Sequence, residues 1–420
     1  MIKTISLLPG VTVRCFQDNR FKQGYLSVQF IRLMDSQEAA LNALIPAVLL
    51  RGSKNAPDMR SITLRLDDLY GASVGPSLRR IGDYHAVGLH CGFIADRFAM
   101  EGDRILQPMT EFLGELLLEP VLENGVFHKE YVESEKKNLI STIAAQRNDK
   151  RAYAAAQLLK KMCREDSFGI PRLGEIEQVK KITPRTAYDH YQRILTESRA
   201  DIFYVGDADP QQVAALIKPV FEKLSRNYVN LPEQTPFHPC GGGDFTETMD
   251  VTQGKLCMGF ATDITLKKGE FAAMQVCNNL FGGGMTSKLF MNVREKLSLC
   301  YDISSGYYGS KGIVTVSAGI DCAQEQVVRK EILSQLDAIC RGEVTHQELD
   351  AAKQALISGL RGIHDTPGAI ENYYATAAVS GLKLTPAQYI QAVEQVDLEQ
   401  VCHAAMTLKF DTVYFLRGVG

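Results

Sequence analysis

Arg294 and Tyr301 carry a guanidinium and a phenol, groups that present fixed hydrogen-bond donors to a carbonyl oxygen or a developing oxyanion. They follow Gly282, Gly283 and Gly284. Three consecutive glycines admit φ > 0 without steric cost, so a sharp reversal is expected after the apolar run Phe271, Met274, Leu280, Phe281. Thr286 is placed to cap the next helix. Leu289, Phe290, Val293 and Leu297 then share a face that should be buried, with Arg294 at its border. Taken singly, an arginine at a helix border is usually a solvated charge and a tyrosine at a strand start is usually core. The glycines fail as a phosphate cradle: Ser287 rather than glycine precedes Lys288, and no third glycine completes G-x-G-x-x-G. They suit a turn where an extended chain passes close to the backbone.

Hydrolytic metal chemistry lacks its motifs. Neither His-x-x-Glu-His nor His-Glu-x-x-His occurs, and the 8 histidines are dispersed. The 10 cysteines form no C-x-x-C pair, which fits reduced, buried thiols of a cytoplasmic protein. Glu133 and Glu135 could serve as an acid/base pair, but a solvated helix face explains them better. The same holds for Lys129, Lys136, Lys137, Lys150 and Arg151.

The elements that must position Arg294 and Tyr301 come in two similar sets. With 420 residues, 45% hydrophobic and 23% charged, the chain suits two or three globular domains at roughly 150 residues each. A net charge of −3 gives no support for nucleic-acid binding. No apolar stretch is long enough to span a membrane, and Met1 to Gly10 fails as a signal peptide. Leu26, Val28 and Phe30 alternate as in a half-buried strand. Asp35 and Glu38 open a helix that Pro46 should kink or break. Helical spacing at 62–70, strand-like segments at 72–78 and 84–93, and helices at 105–118 and 128–163 follow. A helix at 187–195, a strand at 201–206 and a helix at 210–224 complete the half. Residues 227–243, with three prolines and three consecutive glycines, read as a linker. The second half replays the first: 280–303 corresponds to 44–74, the hairpin 300–321 to 72–93, and 384–418 to 182–206. Two related α+β domains, 1–226 and 244–420, are expected.

The run from Gly282 to Phe290, with Arg294-Glu295-Lys296 and Leu299-Cys300-Tyr301, resembles the C-terminal domain signature of the M16 (insulinase, or pitrilysin-like) metallopeptidases. The resemblance covers nearly the whole chain, including Gly206-Asp207-Ala208-Asp209. It implies two related domains, each a mostly antiparallel sheet with helices on one face, forming a clamshell. Active members carry His-x-x-Glu-His on the first helix. Aligned on Leu50-Arg51-Gly52-Ser53, those positions hold Ala43, Pro46 and Ala47, which have no metal-binding atoms. The family's distal helix has two glutamates, here Glu135 and Thr142, so the distal ligand is also lost.

What the resemblance preserves is the Arg294/Tyr301 pair, which in M16 enzymes contacts the substrate backbone near the scissile bond. It implies a non-catalytic subunit without a cofactor, zinc residing only in a partner. Such a subunit pairs with a zinc-bearing M16 paralogue and binds peptide through Arg294, Tyr301 and Gly282 to Gly284; alone, it could form a homodimer. Within the family, Asn148-Asp149-Lys150 followed by Tyr153-Ala154 is similar to zinc-less paralogues of Gram-positive bacteria named for association with aminopentanol modification of elongation factor P. The competing reading is a scaffold, like the core subunits of respiratory complexes. Open sheet edges could hold peptide by β-augmentation in either case.

Overall fold

Alternating apolar positions build the first sheet. In the computed structural model, which describes residues 2–418, β1 (Ile2–Leu8) and β2 (Val11–Gln17) form a hairpin that turns at Gly10, φ 70°. β3 (Gln23–Leu33) leads into α1 (Ala39–Leu49) and α2 (Met59–Asp68), then the hairpin β4 (Ser73–Ile81) and β5 (Tyr84–Ile94). α3 (Leu106–Leu118), the short strands β6 (Leu122–Glu123) and β7 (Val126–Phe127), α4 (Lys129–Ala145) and α5 (Lys150–Met162) come next. α6 (Ile176–Lys181), α7 (Pro184–Glu197), β8 (Arg199–Gly206) and α8 (Pro210–Glu222) complete this half. Residues 225–242 carry no helix or strand.

The second half runs β9 (Gly243–Met249), β10 (Gly254–Ala261), α9 (Phe271–Gly282), a π-helix (Leu289–Lys296), β11 (Asp302–Tyr308) and β12 (Ile313–Ile320). α10 (Glu325–Cys340), α11 (His346–Gly362), α12 (Pro367–Ser380), α13 (Pro386–Gln395), α14 (Leu398–Met406) and β13 (Lys409–Gly418) follow.

Strand order shows the duplication directly. The first sheet is β1-β2-β8-β3-β5-β4 and the second is β11-β12-β10-β13-β9. Reading β9, β10, β11, β12 and β13 for β2, β3, β4, β5 and β8 makes the orders identical, with β1 as an addition. The single parallel pairing of each sheet, β2 with β8 and β9 with β13, falls at the matching place. Two related α+β domains with mostly antiparallel sheets flanked by helices are therefore present, as the sequence led one to expect.

The described residues gather into two compact units. One comprises 2–144, 171–233 and 364–379; the other comprises 145–170, 234–363 and 380–418. Each half thus lends one helical segment to the unit built on the other half. In the first unit, Leu26, Val28 and Phe30 of β3 face the main core with α1, α3 and α7. The opposite face of β3 is expected to be wet from its Ser27 and Gln29, yet both are buried. α12 covers them: buried Glu371 accepts from Ser27 Oγ at 2.7 Å, Gln29 Nε2 at 2.6 Å and Arg79 at 2.7 Å. In the second unit α5 does the corresponding work, packing Ala154 and Leu158 against Cys257, Tyr414 and Leu416.

Three local expectations are corrected. β3 is buried on both faces because α12 occupies the second. Pro46 leaves α1 unbroken from Ala39 to Leu49; its missing N–H costs one ladder bond, and packing of the surrounding Leu44, Ile45, Val48 and Leu49 in the core holds the helix. The helical stretch 128–163 is two helices, divided where Asp149 caps α5 by accepting from Arg151 N and Ala152 N.

Candidate functional site

α9 ends at Gly282, and the chain turns through Gly283 and Gly284 into the π-helix. None of the three glycines has positive φ, so the expected left-handed reversal is absent. Close approach explains the first two instead. A Cβ on Gly282 would lie 2.7 Å from Ser305 N, and one on Gly283 would lie 2.3 Å from Asn279 Oδ1; at Gly284 nothing lies within 4 Å. Gly282 therefore lets α9 sit directly on the backbone of β11. Thr286 does not cap the following helix. Ser287 does, its Oγ accepting from Phe290 N at 3.3 Å, and buried Lys288 ties the turn down through Glu348 Oε1 at 2.8 Å and Glu343 O at 2.7 Å.

The helix carrying Arg294 is a π-helix, a rare form that is frequent at functional sites. Its last turn closes with Leu297 N on Asn292 O, and Ser298 then takes φ 52°. Leu289 and Val293 are buried as expected, but Leu297 falls beyond the helix end and is exposed. Arg294 is part-exposed, its guanidinium 4.6 Å above the Phe290 ring and 3.5 Å from Glu295 Oε1. Tyr301 is 60% exposed, with its backbone N–H fixed on Gly319 O at 2.8 Å immediately before β11. Between them, burial pushes the Cys300 thiol up to about 11; Asp302 adds to the shift and Arg294 opposes it. Arg294 and Tyr301 are thus part-exposed donors flanking one buried thiol at the start of an edge strand.

One further group reaches that strand, and sequence reasoning did not place it in the site. Arg151, read as part of a solvated charged surface, donates to Ser304 Oγ at 2.7 Å and lies 3.9 Å from Asp302 Oδ1. It reaches β11 because α5 docks on the second sheet. The run around it explains the docking: Asp149 caps, Lys150 donates to Arg147 O, Tyr153 reaches Glu247, and Ala154 is fully buried. Tyr414 also donates to Glu247, at 2.5 Å.

The degenerate metal positions lie on α1 and α4. Ala43 and Ala47 are part-buried and Pro46 is buried; none offers a donor atom to zinc. Thr142 is exposed and its hydroxyl donates to Asn138 O at 2.9 Å. Glu135 is no solvated carboxylate: it is nearly buried, paired with Arg51 at 3.2 Å and held by Asn138 at 3.1 Å. Glu133 and Lys136 form their own pair at 3.0 Å. The residues at these positions do not fit zinc, and among the described residues no group of three or more His, Cys, Asp or Glu is placed to hold a metal ion.

α1 carries a different polar residue inward. Asn42 accepts from His190 Nε2 at 2.8 Å and donates to His85 Nδ1 at 3.2 Å, while Arg193 donates to His190 Nδ1 at 2.8 Å. Burial pulls His85 down to about 3 and His190 to about 4, so both are neutral at neutral pH. Among the described residues, no helix is long and apolar enough to cross a membrane, and all ten cysteines are free.

Comparisons agree with this architecture. Residues 181–356 match the family model described as "Peptidase M16 inactive domain". The chain is 30% identical over 409 residues, 97% of its own length and 96% of the relative's, to the "Probable inactive metalloprotease YmfF" of Bacillus subtilis. A crystal structure of a conserved protein from Enterococcus faecalis superposes with a TM-score of 0.91 at 27% identity, covering 99% of this chain and 98% of that one. That of a peptidase M16 inactive domain from Pseudomonas fluorescens gives 0.81 at 18% identity, again over 99% and 98%, and shares the fold. The chain belongs to the M16 metallopeptidase family, as a member without the family's zinc motif.

Proposed function

We propose that the chain is the non-catalytic subunit of a heteromeric M16-type zinc peptidase. It pairs in the cytoplasm with a zinc-bearing paralogue and lends Arg294, Tyr301 and the Gly282 to Gly284 turn to a peptide-binding chamber. One observation carries the reading: the positions of the zinc motif, Ala43, Pro46 and Ala47, offer no donor atom and Thr142 no carboxylate, whereas Arg294 is part-exposed and Tyr301 exposed at the head of the edge strand β11. A guanidinium and a phenol there can donate to the carbonyls of an extended peptide that pairs with the strand edge. A scaffold would have no need of these donors.

Co-expression with a His-x-x-Glu-His paralogue tests the proposal. The two chains should copurify and cleave peptides together, with neither active alone. A pair that fails to associate, or associates without peptidase activity, contradicts it; the second result favours the scaffold. The finer placement, among the paralogues associated with aminopentanol modification of elongation factor P, rests on Asn148-Asp149-Lys150 with Tyr153-Ala154. Deleting the gene should then change the intact mass of that factor, and an unchanged mass rejects the placement.

A further inference from the structure

We propose that Arg151 reads a carboxylate on the bound peptide, making this a site for acidic or carboxylate-terminated segments; this rests on the peptide-binding reading above. A strand added to the edge of β11 would alternate its side chains between two faces. On one face, Ser305 Oγ donates to Asn278 O of α9 at 3.0 Å. On the other, Ser304 meets Arg151. Every second side chain of the added strand therefore lies on the face that carries the guanidinium, and the one nearest Ser304 meets it.

The charge of Arg151 is incompletely used. A guanidinium has five N–H donors, and its contacts here are one hydroxyl at 2.7 Å and a carboxylate oxygen at 3.9 Å, beyond hydrogen-bond range. Asp302 does not satisfy the guanidinium: its Oδ1, the atom 3.9 Å away, is buried without a hydrogen-bond partner. A Cβ on Gly319 would lie 2.9 Å from Asp302 Oδ2 and 3.0 Å from Lys255 Nζ, so both charged ends occupy the space that this glycine leaves open. Arg151 stays 48% exposed with donors to spare. Its place is fixed independently of any ligand, because Asp149 caps its helix and Tyr153 anchors the next turn on Glu247. A preset arginine with unused donors beside an open strand edge suits bidentate recognition of a carboxylate.

Fluorescence anisotropy on the full chain decides the matter with three labelled peptides of one extended sequence. The first carries a central Glu and an amidated C-terminus, the second Gln with the same amide, and the third Gln with a free carboxylate. Wild type should bind the first or third about five- to tenfold more tightly than the second, as expected for a half-exposed charge-assisted contact; which one wins separates an acidic side chain from a chain terminus. Arg151→Gln should bring all three to the second peptide's affinity with an unchanged melting temperature. Asp302→Asn, which removes the competing carboxylate, should widen the preference. Equal binding of all three by wild type, or a preference that survives Arg151→Gln, overturns the assignment while leaving peptide binding intact. Failure of every peptide to bind overturns both readings.

Discussion

Replacing Glu371 with alanine probes the reciprocal exchange of helices most sharply. Its side chain is fully buried on α12 and takes hydrogen bonds from Ser27, Gln29 and Arg79, all on the first sheet. Removing it strands Arg79, whose Nη1 already has no hydrogen-bond partner. Breaking a buried pair by deleting one member costs about 3–5 kcal/mol; Arg79 is 23% exposed and partly hydrated, which favours about 3 kcal/mol. Glu371→Gln keeps an acceptor for Ser27 and Gln29 and loses the ion pair, so about half that cost is expected. A chain of this size need not unfold in one step, so the readout is hydrogen exchange resolved by segment. Exchange of the α12 and β3 amides should accelerate about a hundredfold in Glu371→Ala, the rate equivalent of about 3 kcal/mol, while β10 and β12 in the other unit keep their protection. Unchanged α12 exchange, or equal loss in both sheets, would refute the role given to Glu371.

Acid should destabilise the first unit through His85 and His190. Both have folded pKa values well below the ordinary 6.5, so the unfolded chain binds protons that the folded chain does not, and stability falls as pH drops below about 6.5. The loss approaches about 1.4 kcal/mol per pH unit for each histidine until about 4 for His190 and about 3 for His85. Urea midpoints measured between pH 7.5 and about 5 should show this slope, and His190→Gln should flatten it; a slope unaffected by His190→Gln excludes that histidine. At the glycine turn, Gly282→Ala forces a Cβ onto Ser305 N and should cost about 1–3 kcal/mol. Gly284→Ala meets open space and should be nearly neutral. Equal thermal shifts in the two variants would contradict close packing at Gly282.

The duplication was legible because the hairpin 300–321, with Val314, Val316, Ala318 and Ile320 alternating, repeats the hairpin 72–93, and because capped helices precede both β8 and β13; the strand order itself was not. Nor was the exchange of α5 and α12. The apolar face of α5, Ala154 and Leu158, has the same spacing whichever sheet it meets, so nothing local names the partner. For the same reason Arg151 looked like any surface cation and Glu135 like any exposed carboxylate; their partners, Ser304 and Arg51, are distant in sequence. The glycine run was conspicuous, but composition does not separate positive φ from close approach. The π-helix leaves no mark either, since Leu289 and Val293 suit an α-helix equally well.

The most direct test of the central claim is turnover by the purified complex with the zinc-bearing paralogue, comparing wild type with Arg294→Ala and Tyr301→Phe. Loss of donors that hold the substrate carbonyl should lower kcat/KM about tenfold or more in each variant while the two chains still coelute. Unchanged turnover in both variants would contradict a substrate-contacting role for this chain.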